Sequence, residues 1–160
     1  MALVGRTDEL TVASALAARA TTDPARPYLL QGDDALGFGE VDQHAEALAA
    51  SLANLGVGHG DRVALLLPAC PEFAVAMFAA AKLGSVVVPL NPRLTTPELQ
   101  YMLRHSEAVC AVTIERHRGV DYLHLFEDVM PQLPELRYLV TVGEEDLWYD
   151  DRIFQFEDLL

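Results

Sequence analysis

Arg62-Val63-Ala64-Leu65-Leu66-Leu67-Pro68 sets five consecutive apolar residues between a charge and a proline. An apolar run without alternation describes a strand buried on both faces, which is the habit of parallel sheets. Beyond it, residues 71–83 read as a helix that opens on Pro71 and carries Lys82 in its last turn before Gly84. Proline suits the first helical turn, a cation offsets the negative C-terminal end, and glycine accepts the left-handed cap. The alternation then repeats. Strands are predicted over 86–90, 109–114 and 138–142, with helices over 97–106 and 120–130 between them. Thr95-Thr96-Pro97-Glu98 supplies a capping-box spacing with an early proline for the second of these helices. Strands separated by helices predict an α/β fold: a doubly wound, mainly parallel sheet with flanking helices.

Upstream, the Ala-rich segment 11–20 reads as an N-terminal helix that stops before Asp23-Pro24, because a residue preceding proline is pushed out of the α region. Residues 28–31 and 36–38 flank Gly32-Asp33-Asp34 and predict a short β-hairpin. A long amphipathic helix follows over 40–55, with Val41, Ala45, Leu48, Leu52 and Leu55 on one face and Gly56 as its stop. Residues 1–10 are read as a flexible N-terminus. Residues 144–160 turn acidic and aromatic and are expected to form an incomplete tail with no full element.

The chain has 160 residues, 11 basic against 24 acidic side chains, a net charge of −13, and 51% hydrophobic residues. Disorder requires low hydrophobicity together with high charge, so the composition describes a folded domain. Its acidity argues against nucleic acid and anionic membrane surfaces, both of which attract Lys and Arg. Lys82 is the sole lysine. No apolar stretch approaches the roughly 18 residues of a membrane-spanning helix, and the acids Asp8 and Glu9 fall where a signal peptide would be apolar. Cys70 and Cys110 stand in apolar contexts and read as buried thiols of a reducing compartment, so a cytoplasmic location is expected.

Candidate sites are few. Gly56-Val57-Gly58-His59-Gly60 follows a helix and precedes a strand, the reverse of a dinucleotide fingerprint, and is read as a helix-stopping turn. No G-x-x-x-x-G-K-[ST] loop occurs. His117, Asp121 and His124 would make a metal-binding face only if one helix carried all three, and Gly119 interrupts it. Ser14, Ser51, Ser85 and Ser106 lack a nucleophile elbow. The acid pairs Asp33-Asp34, Glu144-Glu145 and Asp150-Asp151 read as solvated loops, and Lys82 as a helix-end cation. No catalytic, cofactor-binding or metal residue is assigned.

Taken with the motifs around it, one long stretch does carry a resemblance. Phe38-Gly39-Glu40-Val41, Gly56-Val57, and Gly60-Asp61-Arg62-Val63-Ala64-Leu65-Leu66-Leu67-Pro68 with Pro71-Glu72-Phe73 resemble the start of the acyl-CoA synthetases, the AMP-binding, adenylate-forming enzymes. Ala79-Ala80-Ala81-Lys82-Leu83-Gly84-Ser85-Val86-Val87-Val88-Pro89-Leu90-Asn91, continuing through Pro92-Arg93-Leu94-Thr95, is similar to a second motif of that family. Leu133-Pro134-Glu135-Leu136-Arg137 through Gly143 also has its look. Ala69 and Phe38 depart from the family's frequent asparagine and tyrosine.

The resemblance implies that residues 1–160 are the N-terminal part of an AMP-binding domain, a partial subdomain of a larger whole. The implied parent is a fatty-acid–CoA ligase that joins a carboxylate to ATP as an acyl-adenylate, releasing pyrophosphate, and then passes the acyl group to coenzyme A. ATP, Mg2+ and coenzyme A are its implied cofactors, with none expected on this chain, because the family's phosphate loop, ribose-binding aspartate and catalytic lysine have no matching positions here. The 160-residue chain alone is therefore expected to be inactive and, through exposed apolar surface, to self-associate or form a homodimer. Three alternatives stay open: a stand-alone interaction or dimerisation module, a small nucleotide binder, and a parent acyl-AMP ligase that serves a carrier protein.

Overall fold

Val63, Leu65 and Leu67 face one layer of helices, while Ala64 and Leu66 face the other. This alternation follows from the pleat of a strand buried on both sides. The computed structural model describes residues 11–145, 147 and 150–160; the expected flexible N-terminus, residues 1–10, lies outside the described residues. Helix α1 (Val12–Thr22) precedes a hairpin of β1 (Pro27–Gln31) and β2 (Asp34–Gly37), and α2 (Phe38–Asn54) follows directly. Then come β3 (Arg62–Leu66), α3 (Pro71–Leu83), β4 (Val86–Pro89), α4 (Thr96–Ser106) and β5 (Cys110–Ile114). A small hairpin, β6 (Arg116–His117) and β7 (Val120–Asp121), leads into α5 (Tyr122–Val129), followed by β8 (Tyr138–Val142) and β9 (Ile153–Gln155). The main sheet has the order β4-β3-β5-β8-β9, and every neighbouring pair is parallel. Among the described residues, no helix is long and apolar enough to cross a membrane.

The helical layers follow the apolar stripes. α2 buries Val41, Ala45, Leu48, Ala49 and Leu52 against α3 and the sheet, each large aliphatic side chain contributing about 2 kcal/mol of burial. On the opposite face, Leu99 and Leu103 of α4 join Leu123, Phe126 and Val129 of α5. Lys82 does more than sit at a helix end. Its ammonium lies 2.9 Å from Asp42 Oδ1 and 2.7 Å from Glu46 Oε2, pinning α3 to α2. Burial alone would lower its pKa, but the hydrogen bonds to Glu46 and Asp42 outweigh that and hold it above the ordinary lysine value.

Three differences from the sequence reading matter most, beside smaller ones such as β2 starting at Asp34 and ending before the helical Phe38. α2 begins at Phe38, not at residue 40, because the Glu40 carboxylate turns back to accept the Gly37 N–H at 2.8 Å and starts the helix early. α5 begins at Tyr122 rather than Val120. Asp121 caps it by accepting the His124 N–H at 3.0 Å, and residues 116–121 are taken up by the β6–β7 hairpin. The segment 144–160 is not an elementless tail: β9 adds a fifth parallel strand beside β8, and Ile153 and Phe156 are buried. Three strand residues are too few to show a period, so only pairing with β8 reveals them.

Candidate functional site

The sheet order places a crevice. β3 comes first in the chain; β4 lies on one side of it and β5 on the other, so the connections leave β3's two flanks in opposite directions. In open α/β sheets, ligands bind at such a reversal, outside the carboxyl ends of the strands. A cleft of about 390 Å3 opens there. Pro68 after β3, residues 91–94 after β4, and His117, Arg118, Val120 and Tyr122 after β5 line it.

Local chemistry shapes each wall. Asn91 Oδ1 accepts the Arg93 N–H at 2.9 Å and the Asn91 carbonyl accepts the Leu94 N–H at 3.0 Å, folding residues 91–94 into an Asx-type turn. The buried Tyr122 donates its hydroxyl to the Pro92 carbonyl, joining the loop after β4 to the start of α5. On the far wall, Arg118 and Gly119 have φ of 49° and 82°. Two positive angles at the centre of a two-residue hairpin make a type I′ turn, for which Asn-Gly is the favoured pair. Arginine in the left-handed region costs about 1–2 kcal/mol.

Five of the described basic side chains are held in ion pairs. Arg62, Lys82, Arg116, Arg137 and Arg152 all pair with carboxylates. Among the described residues, Arg93 and Arg118 at the cleft have no such partner, and neither do Arg26, Arg19 over the Phe38 ring, or Arg104, which donates to the Gln132 carbonyl. The two guanidiniums of Arg93 and Arg118 place positive charge on one cleft of an acidic protein. Such a site favours an anion.

Next to the cleft lies a residue the sequence reading passed over. Glu115 is buried, and its carboxylate accepts the Glu144 N–H at 3.0 Å, the Glu145 N–H at 3.1 Å, the Thr141 hydroxyl at 3.3 Å and the Gln155 amide at 2.6 Å. Its backbone carbonyl accepts the Tyr122 N–H at 2.8 Å. A Cβ on Gly143 would sit 1.9 Å from Glu115 Oε2, so glycine alone fits there. The one available signal was a charge ending the apolar run 109–114. Glu144 and Glu145, read as solvated, do keep exposed side chains, while their amides hold Glu115. Asp150 is no free loop acid, since it grips Arg152 at 2.7 Å, and this hydrogen bond first, then the Arg152 N–H and charge, hold its carboxyl below the usual range.

The other candidates resolve plainly. His117 lies in β6, Asp121 ends β7 and His124 belongs to α5, so no single helix carries the three. Among the described residues, no cluster of His, Cys, Asp and Glu could hold a metal ion. The Ser51, Ser85 and Ser106 hydroxyls donate to the carbonyls of Leu159, Gly58 and Leu103. Neither cysteine is in a disulfide. Burial pushes the Cys110 thiol up to about 12. Burial and the Glu72 carboxylate do the same to Cys70, which is only half-buried. Neither is a thiolate nucleophile at neutral pH. Gly56 and Gly60 (φ +84° and +81°) form the turn between α2 and β3. A nucleotide triphosphate loop does not fit the turn after β3 either. Pro68-Ala69-Cys70-Pro71 has no glycine, and Pro71 withholds an N–H from the first turn of α3.

A parallel sheet in the order 2-1-3-4-5, with its cleft at the reversal, is the frame in which the family profile can be placed. Residues 16–158 match the AMP-binding enzyme family. The chain belongs to that family. It is 34% identical over 113 residues to the salicyl-AMP ligase / salicyl-S-ArCP synthetase of Mycobacterium tuberculosis, covering 71% of this chain and 20% of the relative. It is 40% identical over 90 residues to the long-chain-fatty-acid–CoA ligase FadD13 of the same organism, covering 55% and 18%. The crystal structure of the anthranilate CoA ligase AuaEII superposes with a TM-score of 0.81 at 26% identity, over 92% of this chain and 27% of that one. The chain therefore spans about a fifth of the length of these curated relatives. The relatives of this AMP-binding family segment include both CoA ligases and an acyl-AMP ligase.

Proposed function

We propose that residues 1–160 form the N-terminal part of the AMP-binding domain of an ATP-dependent carboxylate–CoA ligase acting on fatty acids in the cytoplasm. In the reaction, the carboxylate attacks the α-phosphorus of ATP and expels pyrophosphate; the thiol of coenzyme A then attacks the acyl carbon and expels AMP. The observation that carries the reading is the cationic cleft in a segment of this family. Arg93 and Arg118 line a common opening, and among the described residues neither is paired with a carboxylate; the two substrates besides the acid carry phosphates. In this reading the cleft holds a phosphate of coenzyme A or of pyrophosphate, while the triphosphate cradle and the magnesium ligands come from elsewhere in the ligase.

Two measurements test this. Carboxylate-dependent exchange of labelled pyrophosphate into ATP should be absent for the 160-residue chain with fatty acids of varied length; robust exchange overturns its predicted inactivity. The reading frame past residue 160 should continue into a Ser/Thr/Gly-rich loop that ends in lysine, whereas a stop codon would favour an interaction module. A second reading rests on the similarity to the salicyl-AMP ligase. There the acceptor is a carrier-protein thiol, and the longer ligase would release AMP with that carrier and not with coenzyme A. Leu30, Val86 and Tyr101 are exposed, so the isolated chain should also self-associate in sedimentation at high concentration.

A further inference from the structure

The cleft's two unpaired arginines come from loops of different origin, and one side chain joins them. Among the described residues, the Tyr122 hydroxyl makes the hydrogen bond that ties residues 91–94 to another element of the fold; the other bonds of that loop, to the Arg93 and Leu94 amides, stay within it. The phenol ring is buried in the second core cluster, against which Leu94 also packs. A buried tyrosine hydroxyl needs an acceptor, and the Pro92 carbonyl provides it. Tyr122 is itself held from behind. Its N–H donates to the Glu115 carbonyl, and the Glu115 carboxylate is fastened to the residue 144 and 145 amides and to Gln155 of β9. A continuous line of hydrogen bonds thus runs from β9, through Glu115 and Tyr122, to Pro92, the neighbour of Arg93.

We infer that Tyr122 is a positioning residue for this cleft: its hydroxyl fixes the loop after β4 so that Arg93 and Arg118 converge on a single anionic group. The inference rests on the reading of the cleft as an anion site. A loop already fixed before binding loses less conformational freedom when the anion arrives, and that difference appears as affinity. Tyr122 touches no reacting atom in this account; it acts through Arg93.

The test uses the 160-residue chain, with inorganic pyrophosphate as the probe. In Tyr122→Phe the ring and its packing remain and only the hydroxyl is lost. The Arg93 and Leu94 amides should exchange with deuterium at least tenfold faster than in the parent chain, while the Leu103 amide inside α4 keeps its rate. By calorimetry, pyrophosphate binding should weaken about fivefold in Tyr122→Phe. The double variant Tyr122→Phe/Arg93→Ala should bind no more weakly than Arg93→Ala alone, because a hydroxyl that works through Arg93 has nothing left to position. Additive losses, or unchanged exchange at residues 93 and 94, overturn the inference. If exchange quickens in a chain whose parent does not bind pyrophosphate, the hydroxyl's hold on the loop stands and the anion reading falls.

Discussion

At the amino ends of the strands, Arg62 donates from Nε to the Ser106 carbonyl at 2.9 Å and from Nη2 to the Glu107 carbonyl at 2.9 Å, with the Glu107 carboxylate at 3.0 Å. At the carboxyl ends, Arg93 and Arg118 face the cleft without a carboxylate. Each end also holds a non-glycine residue in the left-handed region, Glu107 at φ 51° and Arg118 at φ 49°. Glu107 is the C-cap of α4, and Arg62 clasps both its carbonyl and its carboxylate. Arg118 has no such clasp. Arg62 uses its charge to hold the fold together, whereas among the described residues Arg93 and Arg118 carry theirs without an ion pair. Closing a helix terminus needs fixed partners for its last carbonyls, while a binding cleft needs donors that are not yet satisfied.

The strongest way to strain this contrast is at the carboxyl end. Gly143→Ala places a methyl 1.9 Å from Glu115 Oε2 and must displace that carboxylate from its donors. Loss of about 3 kcal/mol is expected from stranding a buried charged group, read as a lowered urea midpoint. A midpoint equal to that of the parent chain would show that the cage is not needed.

A pair of substitutions then separates the two ends. Arg62→Ala should cost about 2 kcal/mol of stability, since several carbonyls lose a charged donor, and leave pyrophosphate affinity unchanged. Arg93→Ala should do the opposite: stability within about 0.5 kcal/mol, and affinity lower by roughly tenfold, the usual worth of a charged hydrogen bond. If both variants lose stability alike, the two ends do not differ in the way proposed.

Arg118→Asn sharpens the comparison further. Asparagine tolerates the left-handed region and favours the type I′ turn that Gly119 completes. The variant should gain about 0.5 kcal/mol in thermal unfolding while binding pyrophosphate more weakly. A loss of stability would mean that the arginine is held there for the fold and not for the site.

The smallest effect concerns acid. The His124 N–H, and after it the Arg116 side chain, hold the Asp121 carboxyl below its ordinary value. A depressed carboxylate contributes its stability above the unfolded value of about 3.9, and that contribution is lost as pH falls through the lowered folded value. The side chain is 43% exposed, so solvent screening keeps the loss small. Chemical shifts of the His124 and Leu125 amides should report fraying of the α5 start only in strong acid. Asp121→Asn keeps a capping oxygen and should remove this acid transition; a transition that persists would assign it to another group.

Much of the scaffold was legible from local pattern. The apolar run 63–67, the proline-opened helix before Gly84 and the strand before Gly143 each announce themselves through periods or caps spanning only a few residues. The Asp121 cap and the Arg118-Gly119 turn are local too, but arginine is a poor sign of a left-handed residue, so 120–121 read as helix. β9 stayed hidden because its three residues become a strand only when β8 is beside them.

The residues by themselves determined the sheet-and-helix alternation, the two-sided burial of β3 and the likeness to adenylate-forming ligases, because hydrophobic period and motif spacing are written along the chain. Only the tertiary structure decided which arginines pair with carboxylates, that Glu115 is caged 29 and 30 residues away from the amides it accepts, and that Tyr122 reaches Pro92. Those outcomes depend on the order of the strands. A parallel sheet brings to its carboxyl edge loops that are far apart in sequence, and no window along the chain contains them together.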